Sequence, residues 1–160
     1  MSDTPDPSPL LPDEAATTRM GALIAPLLDA GDVLLLQGGL GAGKTHLARA
    51  LIRARLDHDE DIPSPTFTLV QTYESDTIEI WHADLYRLSH PDEVIELGLE
   101  AAFENAICLI EWPDRLGSLT PKDALTLALL PEGEGRKMVL SGGRAGLART
   151  ILENWRTRND

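Results

Sequence analysis

One stretch constrains this chain more than any other: Leu34-Leu35-Leu36-Gln37-Gly38-Gly39-Leu40-Gly41-Ala42-Gly43-Lys44-Thr45. An apolar run of strand length leads into a glycine-rich loop. Apolar residues then recur at Leu47, Leu51 and Ala54, as one face of a helix requires. Gly38 and Gly43-Lys44-Thr45 satisfy the pattern G-x-x-x-x-G-K-[ST]. The spacing has a physical cause. Successive backbone N–H groups can curl around a polyphosphate only where the chain carries little bulk. The loop feeds into a helix whose N-terminal dipole favours negative charge. Lys44 then supplies a point charge to the β and γ oxygens, and Thr45 a hydroxyl to Mg²⁺. Strand, loop and helix in this order predict a nucleotide-binding unit.

The rest of the composition bounds what surrounds that unit. With 160 residues, 42% hydrophobic and 25% charged, the chain suits one globular domain with a single core. The formal net charge of −12 repels nucleic acid unless a basic patch intervenes. Arg136, Lys137, Arg144, Arg149, Arg156 and Arg158 gather near the C-terminal end, and they read as solvated faces of terminal elements. Autonomous RNA or DNA binding is therefore not expected. No apolar run reaches the length needed to cross a bilayer, so no membrane association and a cytoplasmic location are expected. Cys108, the one cysteine, lies in an apolar run and reads as a packed core thiol.

Residues 1–12, with Pro5, Pro7, Pro9 and Pro12, read as a mobile tail ahead of a domain over 13–160. Asp13 caps a helix over 13–30 that Pro26 kinks or ends early. A strand over 33–37 and a helix over 44–56 flank the phosphate loop, and an acidic loop follows at 57–61, where His58 reads as solvated. Runs at 67–73 and 77–83, separated by Glu74-Ser75-Asp76, give a hairpin signal and make the sheet mixed. Short helical turns follow around Pro91 and over 99–103. A buried strand spans 106–110, two more span 123–130 and 136–140, and a last helix spans 144–158. The expected fold class is α/β, like a P-loop NTPase: a mixed central sheet flanked by helices, in a single domain.

A phosphate loop needs a carboxylate anchor for Mg²⁺, and open α/β sheets place ligands at the carboxyl ends of their strands. Glu111 directly follows the apolar Ile107 to Ile110, where a Walker B acid belongs, although a strand-end carboxylate can also be merely exposed. Asp84 ends another strand and fits either the positioning of water or metal, or a helix cap. Thr66, in a proline-bounded loop, fits a threonine that responds to the γ-phosphate or one that simply opens a strand. Trp112 fits a stacking surface or a core or partner-facing indole. His46 reads as a residue that packs or bonds locally.

Taken together, Leu40-Gly41-Ala42-Gly43-Lys44-Thr45, Ser64-Pro65-Thr66-Phe67-Thr68-Leu69-Val70, His82-Ala83-Asp84-Leu85-Tyr86-Arg87-Leu88, Glu96-Leu97-Gly98 and Ile110-Glu111-Trp112-Pro113 resemble the TsaE family. The phosphate loop alone is widespread; the other runs, in this order, are specific. The resemblance implies an accessory ATPase of threonylcarbamoyladenosine synthesis in tRNA, slow alone and faster with TsaD and TsaB, reaching tRNA only through those partners. It implies ATP and Mg²⁺ as cofactors. Thr45 and Glu111 would hold the metal, and Leu40, Gly41, Ala42, Gly43 and Lys44 the phosphates. Asp84 would be required for hydrolysis, Thr66 would switch, Trp112 would support activity, and Glu14 and Thr17 of the early helix would approach the nucleotide. Gly39 and His46 depart from the family, which commonly has Asp and Thr or Ser there. Two rivals remain: a small-molecule P-loop kinase, whose lid could only be the short loop at 133–137, and a nucleotide-gated binding module without meaningful turnover.

Overall fold

The structure, a computed structural model, describes residues 8–39, 41–56, 60–65, 68–90 and 92–158. Its elements in chain order are β1 (Leu10–Leu11), α1 (Glu14–Ile24), β2 (Val33–Gln37), α2 (Lys44–Arg55), β3 (Val70–Ser75), β4 (Ile78–Asp84), α3 (Asp92–Glu96), α4 (Leu99–Asn105), β5 (Ile107–Glu111), β6 (Leu125–Glu132), β7 (Gly135–Gly142) and α5 (Leu147–Arg158). The strands form one seven-stranded sheet in the order β1-β7-β6-β2-β5-β4-β3. Its four central strands, β6, β2, β5 and β4, run parallel, and β7, β1 and β3 are antiparallel to their neighbours. The expected mixed sheet is present.

The apolar runs explain the layering. Strands β2 and β5 are apolar on both faces, as central parallel strands covered on both sides must be. Leu34, Leu36, Ile107 and Leu109 point into one core with residues of α1, α2 and α5. Val33, Leu35, Cys108 and Ile110 point into a second core with Val94, Leu99, Ala102 and Leu116. Cys108 is fully buried, and burial, with a smaller contribution from Glu79, pushes its thiol up to about 12. It is the inert core thiol that its neighbours implied.

Four boundaries differ from the sequence reading. Helix α1 is capped by Asp13, whose side chain accepts from the Ala16 amide at 2.9 Å, and it ends at Ile24; Pro26 lies in the 3₁₀ turn Ala25–Leu27 that follows. The hairpin turn is Asp76-Thr77 rather than Glu74-Ser75-Asp76. Asp76 adopts φ +53°, which aspartate tolerates, so pairing continues to Ser75 opposite Ile78. Strands β6 and β7 likewise pair as far as Glu132 and Gly135, because Gly133 at φ +59° permits a two-residue turn. The stretch expected as tail also contributes β1. Leu11 is buried, and Leu10–Leu11 covers the otherwise open edge of β7. Pro91 lies outside the described residues.

Helices α1 and α2 touch at Gly21, and the contact sets up a stability test. In an isolated helix Gly→Ala gains about 0.5–1 kcal/mol. Here a Cβ on Gly21 would stand 2.7 Å from the Ala50 Cβ and 2.9 Å from the Leu51 amide nitrogen. Overpacking of that kind costs about 1–3 kcal/mol. Gly21→Ala should therefore lower the thermal midpoint by roughly 2–8 °C. A raised midpoint in a thermal melt would mean that the helices are not this close.

Candidate nucleotide site

The carboxyl ends of β2, β5 and β4 meet at one end of the sheet. Parity decides which side chains reach it. Leu36 pairs with Glu111 across β2 and β5, and Asp84 pairs with Glu111 across β4 and β5. Glu111, Asp84 and, two residues before it, His82 therefore share the face that carries α1 and α2. The first turn of α2 brings Thr45 over the same spot.

Thr45 Oγ1 donates to Glu111 Oε1 at 2.8 Å. Glu111 Oε2 stands 2.7 Å from His82 Nε2, and both side chains are buried. His82 Nδ1 is buried with no hydrogen-bond partner. A bond left unmade in this way costs about 1–3 kcal/mol. Lys44 is almost fully buried, and its Nζ donates to the carbonyls of Gly38 at 2.6 Å and Gly39 at 2.9 Å. It also lies 4.0 Å over the Trp112 ring. Burial lowers the Lys44 pKa below its ordinary value, and the charges of Glu111 and Asp84 partly oppose this.

Trp112 adopts a left-handed backbone, φ +58°, immediately after β5, and its ring meets Tyr86 at 4.8 Å. The indole is thus a wall of the site. Asp84 is buried and its Oδ1 accepts from the Tyr86 amide at 3.0 Å; it closes a turn rather than capping a helix, since the next helix begins at Asp92. Asp84 also lines a cavity of about 310 Å³ together with residues 41–46, Glu111 and Trp112. A second cavity, of about 240 Å³, shares Gly41, Ala42, Gly43 and His46, and its far wall contains Glu14, Thr17 and Arg136. Of the sequence candidates, Gly41, Ala42, Gly43, Lys44, Thr45, Asp84, Glu111, Trp112, Glu14 and Thr17 are therefore brought to two adjoining cavities. Leu40 and Thr66 lie outside the described residues.

Arg136 and His82 were not singled out by spacing. Arg136 was expected on a solvated face, but its guanidinium reaches from β7 to the loop. It donates to the Ala42 carbonyl at 3.0 Å and the Gly41 carbonyl at 2.8 Å. Arg144, in the same sequence cluster, donates to Asp32 Oδ1 at 2.8 Å, next to β2. His46 bonds across the helix pair rather than within its own turn: its Nε2 lies 2.8 Å from Thr18 Oγ1 of α1.

The arrangement fits an anion beside a hard cation. The loop opens toward the cavity: Gly41 has φ +76°, and a Cβ there would meet nothing within 4 Å. Gly43, at φ +100°, starts α2, whose first N–H groups have no acceptor within the helix. Thr45 and Glu111 present a hydroxyl and a carboxylate oxygen side by side, donors that suit Mg²⁺ rather than soft metals. Among the described residues no three His, Cys, Asp or Glu side chains form a metal cage.

Comparison with known proteins gives a family. The model for "Threonylcarbamoyl adenosine biosynthesis protein TsaE" matches residues 11–139. The tRNA threonylcarbamoyladenosine biosynthesis protein TsaE of Rickettsia felis is 39% identical over 127 residues, 78% of this chain and 74% of that protein. Its namesake in Treponema pallidum is 35% identical over 124 residues, 77% of this chain and 90% of that protein. The crystal structure of Bacillus subtilus YdiB superposes with a TM-score of 0.72 over 92% of each chain at 23% identity, which shows a shared fold. On the family match and these identities, this chain belongs to the TsaE family.

Proposed function

We propose that this chain binds ATP with Mg²⁺ and hydrolyses it as an accessory ATPase of threonylcarbamoyladenosine synthesis in tRNA, acting with TsaD and TsaB in the cytoplasm. The observation that carries the reading is the 2.8 Å contact between Thr45 and Glu111 beneath an open glycine loop. A nucleotide-binding loop places its Ser or Thr hydroxyl and its strand-end acid on one cation in this way. Mg²⁺ held there would neutralise charge developing on the phosphate oxygens. Lys44 would leave the Gly38 and Gly39 carbonyls for the phosphates, and the amides of the loop and of α2 would hold the remaining oxygens. Asp84, which lines the same cavity as the loop, would orient the attacking water. The base would lie in the cavity between Glu14, Thr17 and Arg136.

The net charge of −12 supports reaching tRNA through partner proteins rather than directly. Among the described residues no helix is long and apolar enough to cross a membrane. Against the kinase reading, the stretch 133–137 offers little to close over a substrate: Gly135 to Lys137 pair within the β6–β7 hairpin, and Arg136 bonds to the phosphate loop.

Phosphate release from ATP by the chain alone, and with TsaD and TsaB added, tests the proposal: slow release that rises with the partners is expected. Absence of stimulation together with phosphoryl transfer to a small acceptor would favour the kinase. Arg136→Ala should weaken binding of a fluorescent ATP analogue by about tenfold, because two charge-assisted bonds that shape the loop disappear. An unchanged dissociation constant would mean that the loop keeps its shape without them.

A further inference from the structure

We propose that His82 is a positioning residue that fixes the rotamer of Glu111, so that Oε1 is presented to Thr45 and to the cation these two would share. The proposal rests on the reading of Glu111 as the metal carboxylate. Glu111 has two oxygens and each has one partner: Thr45 at 2.8 Å and His82 at 2.7 Å. A carboxylate only accepts, so His82 must present Nε2–H to Oε2. Nδ1, on the other side of the ring, is buried and has no partner. The imidazole comes from β4, one strand away, where it pairs across the sheet with Leu109. It reaches diagonally along the shared face to the carboxylate two residues further on.

A histidine that only filled core volume would have no need to aim its ring at the carboxylate. An apolar residue would fill the same space without leaving an unpaired nitrogen. Holding a Glu side chain, with three rotatable bonds, in one rotamer before the cation arrives removes that ordering cost from binding. Partners of this kind behind a metal ligand typically change metal affinity by about 10- to 100-fold when removed.

The test uses the full chain and a fluorescent ATP analogue, and compares its affinity in EDTA with its affinity across a Mg²⁺ titration. Wild type should bind more tightly as Mg²⁺ is added. In His82→Leu, the Mg²⁺ concentration needed for half of that tightening should rise by about 10- to 100-fold. His82→Gln, which keeps an N–H at similar reach, should recover most of the loss. An unchanged Mg²⁺ requirement in His82→Leu, or no recovery in His82→Gln, overturns the positioning role. Wild type that binds the analogue with no response to Mg²⁺ overturns the metal reading of Glu111 first, and the proposal with it. Nitrogen-15 NMR of the wild-type imidazole gives a readout that needs no variant. A ring protonated at Nε2 supports the proposal, and a ring protonated only at Nδ1 overturns it.

Discussion

Lys44→Ala should reduce ATP affinity by at least about 100-fold, a loss of roughly 3 kcal/mol from two charge-assisted contacts to phosphate oxygens. The structure makes the substitution more disruptive than the loss of a surface lysine. The ammonium is buried, bridges the carbonyls of Gly38 and Gly39 and lies against Trp112, and the charges of Glu111 and Asp84 act on it. Alanine would leave two buried carboxylates without that cation, so some loss of thermal stability is expected beside the loss of binding. Equilibrium titration with a fluorescent ATP analogue separates the two effects, because folded protein can be counted by its thermal transition. Near-normal affinity in a folded Lys44→Ala variant would mean that the loop does not bind phosphate as proposed.

Asp84→Asn should leave ATP binding within a few-fold of wild type while slowing hydrolysis by about 10²- to 10⁴-fold, the range expected when a group that orients or deprotonates the nucleophile is neutralised. Asparagine can still accept the Tyr86 amide hydrogen through its side-chain oxygen, so the local turn should survive. That makes the substitution a clean test of charge. Single-turnover phosphate release measures it. A nucleotide-gated binding module predicts a different outcome: the variant would bind ATP and capture its partners as wild type does, and the wild type itself would release little phosphate. Unchanged hydrolysis in Asp84→Asn would remove Asp84 from the chemistry altogether.

The sequence was informative where the candidate site lies in contiguous residues. β2, the glycine loop and the start of α2 are one uninterrupted run, and Glu111 and Asp84 each end a buried strand, so their placement follows from strand direction alone. Other features depend on register between distant segments. Arg136 reaches Gly41 and Ala42 only because β7 pairs with β6 and β6 pairs with β2. His82 lies inside the run His82-Ala83-Asp84-Leu85-Tyr86-Arg87-Leu88 that carries part of the family resemblance. Its alternation with Asp84 was the available signal, but its contact with Glu111 needed the β4–β5 register. β1 was hidden by prolines on both sides, since two residues carry no periodicity and their pairing depends on an edge that only the folded sheet supplies. The turns at Asp76 and Gly133 came out shorter than expected, because their left-handed residues let the strands pair to the last position.

The proposed metal site and activity are tested most directly by ATP hydrolysis by the purified chain with TsaD and TsaB from the same cell, wild type against Glu111→Ala. Phosphate release should rise when the partners are added and collapse in the variant, because Thr45 would lose the carboxylate that shares its cation. Partner-stimulated release that persists in Glu111→Ala would contradict the assignment of the metal site, and partners that neither bind nor stimulate the wild type would contradict the proposed function.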